Sequence, residues 1–201
     1  MLITDLQYFG TISHIQALFV QEQISFDMDA PFSKMSFKNR MVIASAQGPL
    51  HLSIPIAGGR DQKTAIKDLQ IAYDAPWSEQ HFKAIVTNYQ RSPYFEYYID
   101  SLEAIYKSKP ASLVDFLMAS HEWIKMQIKG NWKIESLATI HVPSAERVYD
   151  PWLPKNYLLY PNAIQYQQVY QDKVGFLPNL SILDLLFCCG GKVANQLLKG
   201  A

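Results

Sequence analysis

In the stretch FSKMSFKNR, residues 32–40, every second position from Lys34 is polar, and three of those four side chains are cationic. If the run is extended, Lys34, Ser36, Lys38 and Arg40 point one way, and Met35, Phe37, Asn39 and Met41 the other. A row of cations on one strand face suits a phosphate or a carboxylate, which Arg40 could grip with two parallel bonds. The plainer reading is a charged edge strand that discourages aggregation, and the habits of sheet edges favour it.

A second group lies in WSEQHFKAIVTNYQRSPYFEYY, residues 77–98. On a helix, Phe82, Ile85, Val86 and Tyr89 share one broad face, so much of this aromatic content is core wall. His81 falls at the edge of that face, one turn after Trp77. An imidazole there is a candidate general base, because its ordinary pKa lies near neutrality. Trp77 and Tyr89 are candidates to stack on a sugar or base ring. The alternative for His81 is a core-boundary side chain with one hydrogen bond, which histidine's burial habits favour. Tyr94, Tyr97 and Tyr98 cannot all share one helical face, so at least one must meet solvent, a loop or a ligand.

A third candidate is Asp184, in FLPNLSILDLLFCCGG. As a catalytic acid, or as the group that orients His81, it would need the fold to bring it to the histidine. Ser181, three residues earlier, makes the same aspartate half of a capping box, and that reading is preferred. Cys188 and Cys189 are adjacent, a poor arrangement for a disulfide or a metal clamp, and read as reduced thiols in a core.

The elements that must position these residues follow from periodicity. Residues 11–20 read as a helix and ISFDMD as a strand; MVIASA, a Gln47-Gly48 turn and LHLSIPI read as a hairpin. LQIAYD alternates like a strand. Helices follow from Asp74 to about Gln90, from a Ser92 cap with Pro93, and from Ser112 to about Lys129. LATIHV and QYQQVY read as strands, the prolines of 143–163 exclude a long helix, and a last helix starts near Leu180. The expectation is one α+β domain over residues 1–201, with a mixed or antiparallel sheet and a helical block in mid-chain.

Composition narrows the function classes. The 201 residues carry 18 basic and 18 acidic side chains, so net charge argues for neither nucleic acid nor an anionic membrane as partner. LSILDLLFCC is too short and too polar at Asp184 for a membrane span, and the N-terminus has no secretory pattern, so a cytoplasmic location is expected. P-loop, nucleophile-elbow, dinucleotide-binding and zinc-protease motifs are missing, and His14, His51, His81, His121 and His141 show no metal-ligand spacing. No metal is expected, and no cofactor is indicated.

Three blocks taken together resemble one family. KMSFKNRMVIASAQGPLHLSIPI, the W-x-x-x-H-x-x-x-I-x-x-x-Y-x-x-x-P-Y-F pattern at 77–95, and YPNAIQYQQVYQDKVGFLPNLSILDLLFCCGG resemble the WbqC-like proteins. The opening DLQYFGTISH departs from that family's proline-rich start, and Cys188 stands where an asparagine often follows LLF. The resemblance implies a bacterial protein of surface polysaccharide (O-antigen type) biosynthesis. It would act on a small molecule such as a nucleotide sugar, by acyl or aminoacyl transfer to an amino sugar, or serve as a non-catalytic binding partner of such an enzyme. The polar positions it carries over are Lys34, Asn39, Arg40, His81, Tyr89 and Asp184.

Overall fold

The chain's computed structural model describes residues 2–33, 36–58, 64–134, 158 and 164–200. Leu2–Thr4 forms β1, and the chain crosses through helix α1, Ile12–Phe19, to β2, Gln23–Phe26. β2 runs parallel to β1 on one side and to β5, Lys133–Ile134, on the other. Thr11 caps α1 by accepting from the His14 N–H. β3, Arg40–Ser45, and β4, Gly48–Ser53, make a separate antiparallel hairpin. Ser45 pairs with Gly48, so the two loop residues are Ala46 and Gln47, one step earlier than the expected turn.

Three helices then pack in sequence: α2, Trp77–Tyr89; α3, Phe95–Ser108; and α4, Leu113–Ile128. Ser112 caps α4 by accepting from the Asp115 N–H, as its sequence indicates. The Ser92 cap is not formed. Its hydroxyl bonds back to the Tyr89 carbonyl and closes the turn after α2, so α3 starts at Phe95, two residues after the expected Pro93. LQIAYD is extended but pairs only through the single bridges Gln70–Ser112 and Ile56–Ile71.

The last helix, α6 (Ile182–Leu198), follows a single turn, α5 (Gln171–Val174), and packs on α1, α3, α4 and β3. Its first six residues, Ile182–Phe187, are all buried, which makes this turn a core helix with no solvent face. Burying each large apolar side chain there contributes about 1.5–3 kcal/mol. The expected α+β class holds, with parallel pairing in one small sheet and antiparallel pairing in the other. The expected strand LATIHV lies outside the described residues.

QYQQVY does not form a strand. Tyr166 and Gln168 turn their polar groups inward to α6 instead of joining a ladder. In α2 the buried stripe is Trp77, His81, Ile85 and Tyr89, spaced four apart, while Phe82 and Val86 are only half-buried. His81 therefore lies on the core stripe, not at its edge.

Candidate ligand-binding site

Asp184 occupies the middle of the buried turn of α6 and has no exposed surface. Its Oδ1 accepts from the Tyr89 hydroxyl at 2.6 Å, and its Oδ2 from the Tyr166 hydroxyl at 2.5 Å and from Gln168 Nε2 at 3.2 Å. Burial pushes the Asp184 pKa up, and the bonds from Tyr166, Tyr89 and Gln168 pull it back down. The expected capping role goes elsewhere: Ser181 Oγ accepts from Leu183 N–H, and the Asp184 carboxylate faces the core.

The network ties separate elements together. The Tyr89 oxygen also accepts from the Ala44 N–H at 2.9 Å, linking α2, β3 and α6. The ring of Tyr89 lies 5.0 Å from Phe187, so it is a wall residue here. Gln168 mirrors the Leu177 backbone: its Nε2 donates to the Leu177 carbonyl at 2.9 Å, and its Oε1 accepts the Leu177 N–H at 2.8 Å. One amide thus closes the loop 168–177 over the carboxylate.

Outside this network opens a cleft of about 700 Å³, at the C-terminal end of α2. Asn88 and Arg91 line it from the α2 end, Gln168, Tyr170 and Lys173 from the facing segment, and Cys188 from α6. The Tyr170 hydroxyl reaches across to Asn88 Oδ1 at 3.3 Å. Arg91 and Lys173 are exposed, and neither forms an ion pair with a described residue. Burial, and then the Asp184 charge, push the Cys188 thiol well up, so it stays protonated and is a poor nucleophile. Such a surface offers cationic and amide groups to an anionic, hydroxyl-rich molecule.

His81 belongs to a different cluster, about 12 Å along α2 from Tyr89 by helical rise. Its Nδ1 is 3.0 Å from the Tyr8 hydroxyl, which is 2.5 Å from that of Tyr106. Burial lowers its pKa to about 4, so the ring is neutral at pH 7. Asp184 does not orient it, since the bonds of each go to other groups. Trp77 is 3% exposed and packs against His81, Tyr106 and Phe116.

The row of cations is broken. Residues 37–39 form a turn, and Phe37 and Lys38 are both buried, so side chains do not alternate there. Lys38 Nζ is paired with Asp5 Oδ2 at 2.6 Å. Asn39 Nδ2 donates to the Ile54 carbonyl, and Arg40 Nε donates to Ser53 Oγ at 3.2 Å across the hairpin. Lys34 lies outside the described residues. Among the described residues, no group of three or more His, Cys, Asp or Glu could hold a metal ion, and no helix is long and apolar enough to cross a membrane.

Sequence reasoning did not single out Arg91, Gln168, Tyr166 or Lys173. The available signal was Asp184 itself, a lone carboxylate in an apolar run that needs buried donors.

Comparison with known proteins gives a lineage without a reaction. The chain is 27% identical over 210 residues to the Mycobacterium tuberculosis protein named "Uncharacterized protein Rv1507c", covering 89% of this chain and 88% of that protein. No solved structure matches it. The model of the WbqC-like protein family matches residues 6–150, a span that holds His81, Tyr89, Arg91 and the Lys38–Arg40 turn. This chain belongs to the WbqC-like protein family.

Proposed function

We propose that this chain binds a nucleotide sugar or related sugar phosphate in the cleft at the end of α2, and that it serves surface polysaccharide biosynthesis in the cytoplasm. The pathway assignment rests on the family. The ligand class rests on one observation: Arg91 and Lys173 line the same cleft, beside the amide of Asn88, and neither has an ion-pair partner among the described residues. Two cations match a pyrophosphate, and the Asn88 amide matches a sugar hydroxyl. Through Gln168 the Asp184 network anchors the 168–177 wall that carries Lys173, so that wall stands before the ligand arrives.

Titration calorimetry and thermal melting with UDP-sugars and hexose phosphates, on the wild type, Arg91→Ala and Lys173→Ala, test this. A ligand at a hundredfold excess over its Kd adds about 2.7 kcal/mol of stability. In a chain of this size that is a Tm rise of roughly 5–10 °C. Each substitution is expected to weaken binding about tenfold or more. Binding that is unchanged in both variants, or absent for every sugar nucleotide and sugar phosphate, sinks the reading and favours a partner-protein role.

A second reading, acyl or aminoacyl transfer to an amino sugar, is favoured by His81. The ring is neutral, and its Nε2 has no partner among the described residues. The amine nitrogen would form the new bond to the acyl carbon as the donor's leaving group departs, with the amine proton passing to solvent or to that group. Incubation with an acyl thioester and a UDP-amino sugar would then yield a product heavier by the acyl group.

A further inference from the structure

The hydroxyls of Tyr8 and Tyr106 and the His81 ring form a closed chain in which the protons can be counted. Tyr106 Oη lies 2.5 Å from Tyr8 Oη, and Tyr8 Oη lies 3.0 Å from His81 Nδ1. Tyr106 is buried among the rings of Phe9, Trp77, Phe82 and Phe116, which offer no acceptor. Its hydroxyl has no other partner among the described residues.

The two ring tautomers use the hydroxyl protons differently. In the first, Tyr106 donates to Tyr8, Tyr8 donates to His81 Nδ1, and every hydroxyl proton is used. In the second, His81 Nδ1–H donates to Tyr8, and one hydroxyl proton is stranded whichever way the pair turns: that of Tyr106 if Tyr8 donates to it, or that of Tyr8 if Tyr106 donates to Tyr8. An orphaned buried donor disfavours the second arrangement by roughly tenfold or more. The hydrogen-bond network is what decides a histidine tautomer.

We infer that His81 carries its proton on Nε2 and presents that N–H as a donor to a ligand oxygen, a phosphate or an acyl carbonyl, rather than a lone pair to a proton. His81 is 6% exposed, and Nε2 is not sealed from solvent. The Trp77 ring packs 5.2 Å away in edge contact and walls the histidine on that side. His81 Nε2 thus has no acceptor among the described residues. An incoming oxygen supplies what the fold leaves out. A fixed neutral N–H suits polarisation of a carbonyl or contact with a phosphate, and does not suit abstraction of a proton. This inference does not rest on the Arg91–Lys173 cleft.

The test is nitrogen-15 NMR of the imidazole rings, with His81 assigned by loss of its signals in His81→Gln. The expected result is a pyridine-type Nδ1 and a pyrrole-type Nε2, retained in Tyr106→Phe, where Tyr8 still donates to Nδ1. Addition of inorganic phosphate or of N-acetylglucosamine should then shift His81 Nε2. A phosphate-only response identifies the oxygen as phosphate, and an N-acetylglucosamine response identifies it as acyl carbonyl. Repeating the titrations in Arg91→Ala separates this corner from the cleft. A pyrrole-type Nδ1 in the wild type, or a His81 signal that neither probe moves, overturns the inference.

Discussion

Three donors converge on the Asp184 carboxylate in a turn with no solvent face. Asp184→Ala orphans the Tyr89 and Tyr166 hydroxyls, and each stranded buried donor costs about 1–3 kcal/mol. The three act as one unit, so their costs do not add fully. Urea unfolding is expected to show a loss of about 3 kcal/mol or more for Asp184→Ala, and a smaller loss for Asp184→Asn, which keeps one acceptor oxygen. A loss under about 1 kcal/mol would show that the carboxylate is hydrated rather than caged. The capping-box signature made this position look local, because Ser and Asp at that spacing describe a helix end whatever surrounds it. What the pattern could not reveal is that Tyr166 and Gln168, read as strand residues, come inward to meet it. Their partners are remote in sequence, and a single chain carries no trace of such pairings.

At the scale of elements, legibility depended on how local the forces were. Ser112 and the period of α4, and the alternation of β4, are dictated within a few residues, and the fold follows them. β1, only three residues long, owes its existence to the pairing of Leu2 with Ile24, a contact the sequence does not announce. The break in α6 is a further tertiary feature. Gly190 has φ +74°, with the Tyr94 ring 2.7 Å from where a Cβ would stand, and the freed Phe187 carbonyl accepts the Tyr94 N–H at 3.0 Å. At Gly191 a Cβ would lie 2.1 Å from the Gln127 carbonyl oxygen, a backbone atom that cannot swing aside. The Gly191 N–H also donates to the Tyr98 hydroxyl at 2.7 Å, which fixes α3 against the same break. Gly191→Ala must therefore push α4 and α6 apart, and a loss of about 3 kcal/mol is expected from this overpacking. Wild-type stability in that variant would mean that the two helices do not pack as closely as described.

Across the whole molecule, the buried histidines set a limit on acid stability. Burial, then the nearby His121, pushes His14 down to about 3; burial holds His81 at about 4; and burial, then Lys125, brings His121 to about 4. All three pKa values are depressed from the ordinary 6.5, so the unfolded chain binds protons that the native chain refuses. The stability this gives is fully present above pH 6.5 and is lost as pH falls towards 4. Asp184 acts with the opposite sign. Its raised pKa makes the native state more willing to take a proton, but it is one group against three. At about 1.4 kcal/mol per pH unit for each histidine, stability should fall by roughly 4 kcal/mol per unit between pH 6 and 4. A domain with an ordinary reserve of about 5–15 kcal/mol would then approach unfolding near pH 4. Urea midpoints at pH 7, 6 and 5 measure the slope, and His81→Gln should reduce it by about a third whatever its effect at pH 7. A flat profile across that range would mean that the three imidazoles reach water. The closed Tyr8–His81 corner would then be open to solvent, and the proton count that makes His81 a donor would no longer hold.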